Sequence, residues 1–196
     1  MLFDTDIISI VYKNLLNYHK DIPIILDPVM ISTSGNKLLK DDSISLLCET
    51  LIPISTLITP NIDETIHLLS KTNSNLISLK SILDVKNAAK ILSKNFKIKN
   101  VLIKGGHLNI NDDGYVYDIL YEEEIDEFSI FKNKLINNNN THGSGCSLSS
   151  SIASNIAIGF NLKESIEKSI NYIHKSIFNG FKVGKSDYGT LNHFLK

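Results

Sequence analysis

The sequence predicts an α/β fold in which a mostly parallel central sheet is flanked by helices. Short apolar runs that end in polar residues alternate with longer segments in which apolar residues recur at helical spacing. This alternation is typical of strands joined by helical crossovers, which place the strands parallel in one sheet. A chain of 196 residues with 42% hydrophobic and 21% charged residues is long and apolar enough for one domain with a sizeable core.

Helices are predicted where apolar residues recur every three or four positions, and strands where a short apolar run is bounded by proline, glycine or polar residues. Asp4 or Thr5 is expected to cap the first helix, and the apolar stripe of the last helix runs from Leu162 to Phe181. The predicted elements are, in chain order, helix 5–19, strand 23–28, helix 38–51, strand 56–60, a helix from 61, helix 78–94, strand 101–104, strands 115–121 and 124–131 that could pair antiparallel, a helix that opens within 143–146, and helix 162–181.

Three predicted strands end in polar side chains. Asp27 ends the first strand, Thr59 ends the second with Asn61 just beyond it, and Lys104 ends the third. In parallel α/β sheets, ligands bind beyond the carboxyl ends of the strands. We therefore expect these side chains to share one edge of the sheet with the loop 143–146, and this edge is the predicted binding site.

The loop that opens the next helix reads Gly143, Ser144, Gly145, Cys146. The first N–H groups of a helix lack intrahelical partners, and the helix dipole adds positive potential there, so such a loop can hold a transferring phosphoryl group. Glycine allows the sharp bend and the close approach of a ligand. An ordinary glycine-containing helix start with a buried cysteine explains the same residues, and the loop alone does not decide between the two interpretations.

The polar strand ends also have two interpretations each. Asn61 and Glu64 form an N-x-x-E pattern whose oxygens suit Mg²⁺, but the same pattern is a capping box that needs no ligand. Lys104 precedes two glycines and could pair with a nucleotide phosphate, or it could be a solvated lysine. Asp27 could help to hold Mg²⁺, or it could be a turn residue before Pro28.

Composition excludes several classes of function. All 20 basic residues are lysines, so no arginine can contribute to a mechanism, and the net charge of −1 gives no case for binding nucleic acid or an anionic membrane. Cys48 and Cys146 are too far apart in sequence for a metal motif, and a reducing cytoplasm is expected, with Cys48 as a small buried hydrophobe. No Walker A motif is present, and His107 and His142 are interpreted as loop residues.

Family motifs occur in collinear order along nearly the whole chain, at residues 26–30, 34–35, 57–64, 101–107, 141–150 and 191–194. In these stretches the chain resembles the hydroxymethylpyrimidine/phosphomethylpyrimidine kinases of thiamine biosynthesis, which are ribokinase-like enzymes. The most specific feature is the cysteine after Gly145, because most ribokinase-like enzymes carry aspartate at that position. The resemblance implies a ribokinase-like fold and the ATP-dependent phosphorylation of 4-amino-5-hydroxymethyl-2-methylpyrimidine and then of its monophosphate.

The resemblance also implies a role for each site residue, with ATP and Mg²⁺ as the groups bound. It further implies a homodimer that acts on a small molecule in the cytoplasm. The implied roles are an anion hole of Gly143, Ser144 and Gly145, a catalytic-base position at Cys146, Mg²⁺ organised by Asn61, Glu64 and Asp27, phosphate contacts from Lys104 and Thr141, and packing of Val29 against the pyrimidine.

Members of the family begin with a further segment that supplies the first strands of the sheet. We therefore expect residues 1–196 to form one ribokinase-like domain that lacks those strands, with a substrate pocket open on one side. Two alternatives remain at this point. One is a pyridoxal kinase of the same superfamily, and the other is a nucleotide-binding remnant without catalytic activity.

Overall fold

The central sheet of the protein has five strands, seen in a computed structural model that describes residues 2–30, 38–76, 78–106, 113–183 and 189–195. Their order in the sheet is the same as their order in the chain. The strands are β1 (Ile25–Leu26), β2 (Leu57–Ile58), β3 (Asn100–Ile103), β4 (Tyr115–Glu122) and β5 (Glu127–Lys134).

The sheet is mixed. Strands β1, β2 and β3 run parallel, as predicted, whereas β4 and β5 form a hairpin that joins antiparallel to β3. The hairpin turns at residues 123–126, where Asp126 has a positive φ of 50°. Because the acidic residues Glu123, Glu124 and Asp126 occupy this turn, β5 begins at Glu127 rather than at the predicted residue 124.

Helices cover both faces of the sheet. Successive side chains of a strand point to opposite faces, so β3 contributes Val101 and Ile103 to one hydrophobic core and Leu102 to the other. The described helices are α1 (Thr5–Leu15), α2 (Asp41–Glu49), α3 (Leu51–Ile54), α4 (Ile62–Leu69), α5 (Ile82–Phe96), α6 (Ser144–Ala157) and α7 (Leu162–Phe178). Helices α1 to α5 pack on the first face, and α6 and α7 pack on the second.

Several element boundaries differ from the sequence prediction. The first helix ends at Leu15, and the predicted helix 38–51 is divided at Thr50 into α2 and α3. Phe181 does not extend α7 but lies in β6 (Phe181–Lys182), which pairs with β7 (Gly189–Thr190). Strands of two residues have no periodicity, and the sequence pattern therefore gave no sign of this second hairpin.

None of the helices in the described part of the chain combines the length and the apolar character that crossing a membrane requires.

Candidate active site

Four neighbouring strands each place a polar side chain on the face of the sheet that packs against α6 and α7. Each polar residue lies two positions from an apolar residue of that core, and residues two apart in a strand share a face. The apolar residues are Ile25, Leu57, Leu102 and Leu120, and the corresponding polar residues, which we call the polar row, are Asp27, Thr59, Lys104 and Asp118.

An ion pair lies at the centre of the polar row. Lys104 Nζ is 2.8 Å from Asp27 Oδ1, and the hydroxyl of Thr59 donates a hydrogen bond to the same oxygen at 3.2 Å. The side chains of Lys104 and Asp27 are only 15% and 11% exposed. Lys104 is therefore not a solvated lysine, and Asp27 does more than form a turn before Pro28.

Helix α6 begins directly above this ion pair with several backbone donors open. Gly143 precedes the helix with a φ of +81°, a conformation that favours glycine, and no side chain in the described part of the chain caps this end. The N–H of Ser144 donates to Thr141 O at 3.1 Å. The next N–H groups, those of Gly145 and Cys146, have no hydrogen-bond partner among the described residues. These two open donors and the helix dipole suit an anion, and the predicted anion hole of Gly143, Ser144 and Gly145 stays a prediction.

Gly145 brings the backbone of α6 against the ion pair. A Cβ atom at this position would lie 3.3 Å from Lys104 Nζ and 3.4 Å from Asp27 Oδ2, closer than most Cβ contacts. The lysine ammonium and the open N–H groups thus converge on one small volume. This convergence fits the binding of a phosphate group, which needs several donors at short range.

Cys146 lies in the first turn of α6 and is exposed, so it is not the buried cysteine of the alternative interpretation. It lines a cleft of about 330 Å³ together with Asp27 and Val29. The remainder of the cleft is mostly apolar and comes from α1, β1 and the α2–α3 region. Cys48 is buried, as predicted, and burial raises the pKa of its thiol to about 11.

Asn61 and Glu64 form a complete capping box at the start of α4. The N–H of Glu64 donates to Asn61 Oδ1, and the N–H of Asn61 donates to Glu64 Oε2, both at 2.8 Å. A parallel bridge pairs Asn61 with Lys104 and places this helix start beside the ion pair. Burial raises the pKa of Glu64 to about 7, while the charge of Lys104 opposes the shift. The capping interpretation is confirmed, and the metal-binding role stays a prediction.

The described residues contain no group of three or more His, Cys, Asp or Glu side chains that could hold a metal ion. Mg²⁺ nevertheless fits this edge of the sheet, because it keeps several waters and commonly binds one or two carboxylates together with phosphates. Asp27 and Glu64 are two carboxylates at this edge, and their electrostatic interaction raises the pKa of Glu64 further.

The hairpin of β6 and β7 fixes the segment that leads into the α6 loop. The N–H of Gly189 donates to Asn139 O at 3.1 Å, and a parallel bridge pairs His142 with Thr190. Thr141 is half-buried between these contacts and the start of α6. His142 is exposed, in agreement with its interpretation as a loop residue. Ser34, Gly35 and His107, which belong to the family motifs, lie outside the described residues.

Sequence reasoning missed Asp118, the fourth member of the polar row. Its carboxylate accepts a hydrogen bond from the N–H of Gly105 at 2.9 Å, and burial raises its pKa to about 6. One signal could have found it, because Asp118 is an acidic residue within the otherwise apolar and aromatic run 115–121.

Comparison with known proteins finds one family of kinases along almost the whole chain. The family model described as phosphomethylpyrimidine kinase matches residues 1–192. A hydroxymethylpyrimidine/phosphomethylpyrimidine kinase of Saccharomyces cerevisiae is 36% identical over 192 residues, which are 95% of this chain and 34% of that protein. The enzyme of the same name from Bacillus subtilis is 34% identical over 194 residues, which are 99% of this chain and 67% of that protein.

Solved structures show the same fold. An ADP complex of Bacillus subtilis pyridoxal kinase has a TM-score of 0.83 at 29% identity and covers 98% of this chain and 68% of that one. A phosphomethylpyrimidine kinase from Clostridium difficile has a TM-score of 0.72 at 33% identity and covers 90% of this chain and 66% of that one. The chain thus spans about a third of its yeast relative and about two thirds of these bacterial proteins.

Proposed function

The chain belongs to the phosphomethylpyrimidine kinase family, and we propose that it phosphorylates 4-amino-5-hydroxymethyl-2-methylpyrimidine and then the resulting monophosphate, with ATP as donor, in thiamine biosynthesis. One observation carries the proposal. The uncapped start of α6 lies against the ion pair of Lys104 and Asp27, which brings a lysine ammonium and free backbone donors together at the edge of the sheet.

Phosphoryl transfer depends mainly on positioning and on neutralising charge, so these donors are the main catalytic elements. In the proposed site, the backbone of Gly143, Ser144 and Gly145 binds the phosphoryl group as it moves between donor and acceptor. The N–H of Ser144 must leave Thr141 O to take part, whereas the N–H groups of Gly145 and Cys146 are already open among the described residues. Lys104 and Thr141 hold the other phosphate oxygens of ATP. Lys104 must then exchange its contact with Asp27 for a contact with phosphate.

Cys146 is proposed to face the substrate hydroxyl and, as the thiolate, to receive its proton while that oxygen bonds to the γ-phosphorus of ATP and ADP leaves. Its exposed position on the wall of the cleft supports this role. Val29 lines the same cleft and would pack against the pyrimidine ring. The apolar lining from α1 and β1 suits a flat heteroaromatic substrate.

Asp27, Asn61 and Glu64 are proposed to hold Mg²⁺ largely through water, and the ion would supply positive charge that offsets the phosphates. Asn61 and Glu64 can do this only by sharing their oxygens between the capping box and the hydrated ion.

A pyridoxal kinase is the second candidate function. The observation that favours it is the TM-score of 0.83 with Bacillus subtilis pyridoxal kinase, against 0.72 with the Clostridium difficile phosphomethylpyrimidine kinase. The two candidate functions share the phosphate site and differ in the ring that occupies the cleft.

The test is ADP release by the purified chain with Mg-ATP, offering the hydroxymethylpyrimidine, its monophosphate and pyridoxal in parallel. Turnover with both pyrimidines supports the proposal, and preferential turnover with pyridoxal replaces it by the second candidate. Binding of Mg-ATP without turnover on any acceptor contradicts both and identifies a nucleotide-binding remnant.

We also propose that residues 1–196 act as one kinase domain in the cytoplasm and pair as a homodimer, as the resemblance implies. Two free cysteines, Cys48 and Cys146, are compatible with a reducing compartment. Light scattering coupled to size exclusion tests the dimer, and elution at the 21.9 kDa mass of one chain contradicts it.

A further inference from the structure

Asp118 is the member of the polar row to which the proposed reaction gives no role. It lies on β4, and its Oδ1 accepts a hydrogen bond from the N–H of Gly105 at 2.9 Å. Gly105 directly follows Lys104 in the chain. The carboxylate of Asp118 therefore anchors the peptide unit next to the lysine that would bind phosphate.

The register of the sheet places Asp118 beside Lys104 as well. Ile103 lies opposite Ile119 in the antiparallel pair of β3 and β4, so the next position brings Lys104 opposite Asp118. Side chains at opposite positions of an antiparallel pair share a face and interact. The positive charge of Lys104 indeed lowers the pKa of Asp118 against the effect of burial. Lys104 thus pairs directly with Asp27, just beyond β1, and interacts electrostatically with Asp118 on β4.

The backbone at Gly105 is packed tightly against β4. A Cβ atom on Gly105 would collide with the backbone carbonyl of Tyr117, so the chain after Lys104 runs in close contact with β4. An N–H group held so close to a neighbouring strand needs an acceptor, since an unpaired buried donor is costly. Asp118 provides that acceptor.

We propose that Asp118 is a positioning residue that keeps Lys104 in place for a nucleotide phosphate. When phosphate draws the ammonium away from Asp27, the anchored peptide of Gly105 holds the base of the lysine side chain, and the carboxylate of Asp118 remains beside it. This inference rests on the proposed function, because the phosphate that Lys104 would bind belongs to that function.

The test compares two substitutions at Asp118 by calorimetric titration with Mg-ATP. Asp118→Asn keeps an acceptor oxygen for the N–H of Gly105, whereas Asp118→Leu has a similar size and no acceptor. We expect Asp118→Leu to weaken Mg-ATP binding about tenfold or more and Asp118→Asn to stay within about threefold of the unchanged chain.

The matched controls are Glu122→Gln and Glu122→Leu, which change a carboxylate on the same face of the same strand, and both should leave the affinity unchanged. Equal affinity for Asp118→Leu and the unchanged chain overturns the proposal, as does an equal loss in Glu122→Leu.

Amide hydrogen exchange at Gly105 and Gly106 without nucleotide supplies a readout that does not depend on the proposed function. Exchange there should be faster in Asp118→Leu than in Asp118→Asn or Glu122→Leu. If the unchanged chain binds no Mg-ATP, the proposed function fails. The amide exchange at Gly105 and Gly106 then decides by itself whether Asp118 positions this peptide. Unchanged exchange in Asp118→Leu overturns that role. Asp118→Ala, which also lacks the acceptor, takes the place of Asp118→Leu if the leucine variant does not fold.

Discussion

Two helices begin at the same edge of the sheet, and their first turns are satisfied in opposite ways. At the start of α4, Asn61 and Glu64 close the capping box with two reciprocal hydrogen bonds, and Glu64 is almost fully buried. At the start of α6, glycine replaces a capping side chain, and the N–H groups of Gly145 and Cys146 have no partner among the described residues. A closed start adds stability, whereas an open start leaves donors for a ligand.

The starts of α4 and α6 present different chemical groups to the edge of the sheet. Helix α4 supplies carboxylate and amide oxygens, which suit a cation, and α6 supplies N–H donors, which suit an anion. The ion pair of Lys104 and Asp27 lies next to both. The edge of the sheet therefore offers oxygens on one side and N–H donors on the other, which fits the metal and the phosphate of the proposed function.

The largest expected effect follows from removing the charge between the two helix starts. Lys104→Met keeps the length of the side chain but leaves Asp27 without its ion-pair partner and removes a phosphate donor. We expect kcat/KM for Mg-ATP to fall on the order of a hundredfold to a thousandfold, as when a preorganised donor is lost elsewhere. Steady-state kinetics measures the change, with Lys99→Met as control because Lys99 is exposed and its ion pair with Glu124 spans 3.8 Å. A loss below threefold in Lys104→Met would contradict the account.

Cys146→Ala tests the reactive group on the open helix start. We expect turnover to fall about a hundredfold, within the range for loss of a general base, while Mg-ATP affinity changes little because the backbone donors remain. Burst kinetics and calorimetry separate the two quantities. Cys48→Ala is the matched control and should leave activity nearly intact, since Cys48 is buried in the core. Unchanged turnover in Cys146→Ala removes this residue from the mechanism.

Gly145→Ala narrows the space between the open helix start and the ion pair. The added Cβ would lie 3.3 Å from Lys104 Nζ, so the ion pair must move, and we expect Mg-ATP affinity to fall about tenfold. Gly106→Ala is the control, because no atom of the described residues lies within 4 Å of a Cβ there. Equal affinities of the two variants would show that the close approach at Gly145 is not needed.

Asn61→Ala removes the side chain that caps the start of α4. Loss of a capping side chain costs about 1 kcal/mol of unfolding free energy, and Ser81→Ala at the capping box of α5 should cost a similar amount. Only Asn61→Ala should also raise the Mg²⁺ concentration needed for half-maximal activity. Chemical denaturation and a Mg²⁺ titration measure the two effects. Identical Mg²⁺ dependence in the two variants would reduce Asn61 to a cap.

The last prediction concerns activity least, because it is the pH dependence of stability that Glu64 contributes. Burial raises its pKa from 4.5 to about 7 in the folded chain, so the folded state binds the proton more tightly than the unfolded state. The stabilisation is therefore complete below about pH 4.5 and is lost as pH rises through about 7. Denaturation at several pH values without Mg²⁺ should show a flatter profile in Glu64→Gln. Parallel profiles for the two proteins would contradict the raised pKa.

The parallel part of the fold was predictable because each strand ends in a recognisable residue. Asp27, Thr59 and Lys104 follow short apolar runs, and the strand-end rule for parallel sheets places them together without knowledge of contacts. The antiparallel part was less accessible. Asp118 reaches the site only through the register of β4 on β3, which depends on the turn before Glu127 and on pairing between strands.

Local sequence also left ambiguities that only packing resolves. The pattern of Asn61 and Glu64 is the same in a capping box and in a metal-binding motif. Only the folded chain shows that this helix start is buried and lies beside Lys104 at the edge of the sheet. The sequence of residues 137–142 did not indicate that this segment is held in place. The pairing that holds it, between His142 and Thr190, joins positions far apart in the chain.

The most direct measurement is a titration of the ¹⁵N-labelled chain with Mg-ATP, followed through its backbone amide resonances. We expect saturable shifts at Gly145 and Cys146, whose N–H groups are open among the described residues, and smaller shifts at Asn61 and Glu64, whose N–H groups are already bonded. Saturable shifts elsewhere with Gly145 and Cys146 unchanged would show that the start of α6 is not the phosphate site.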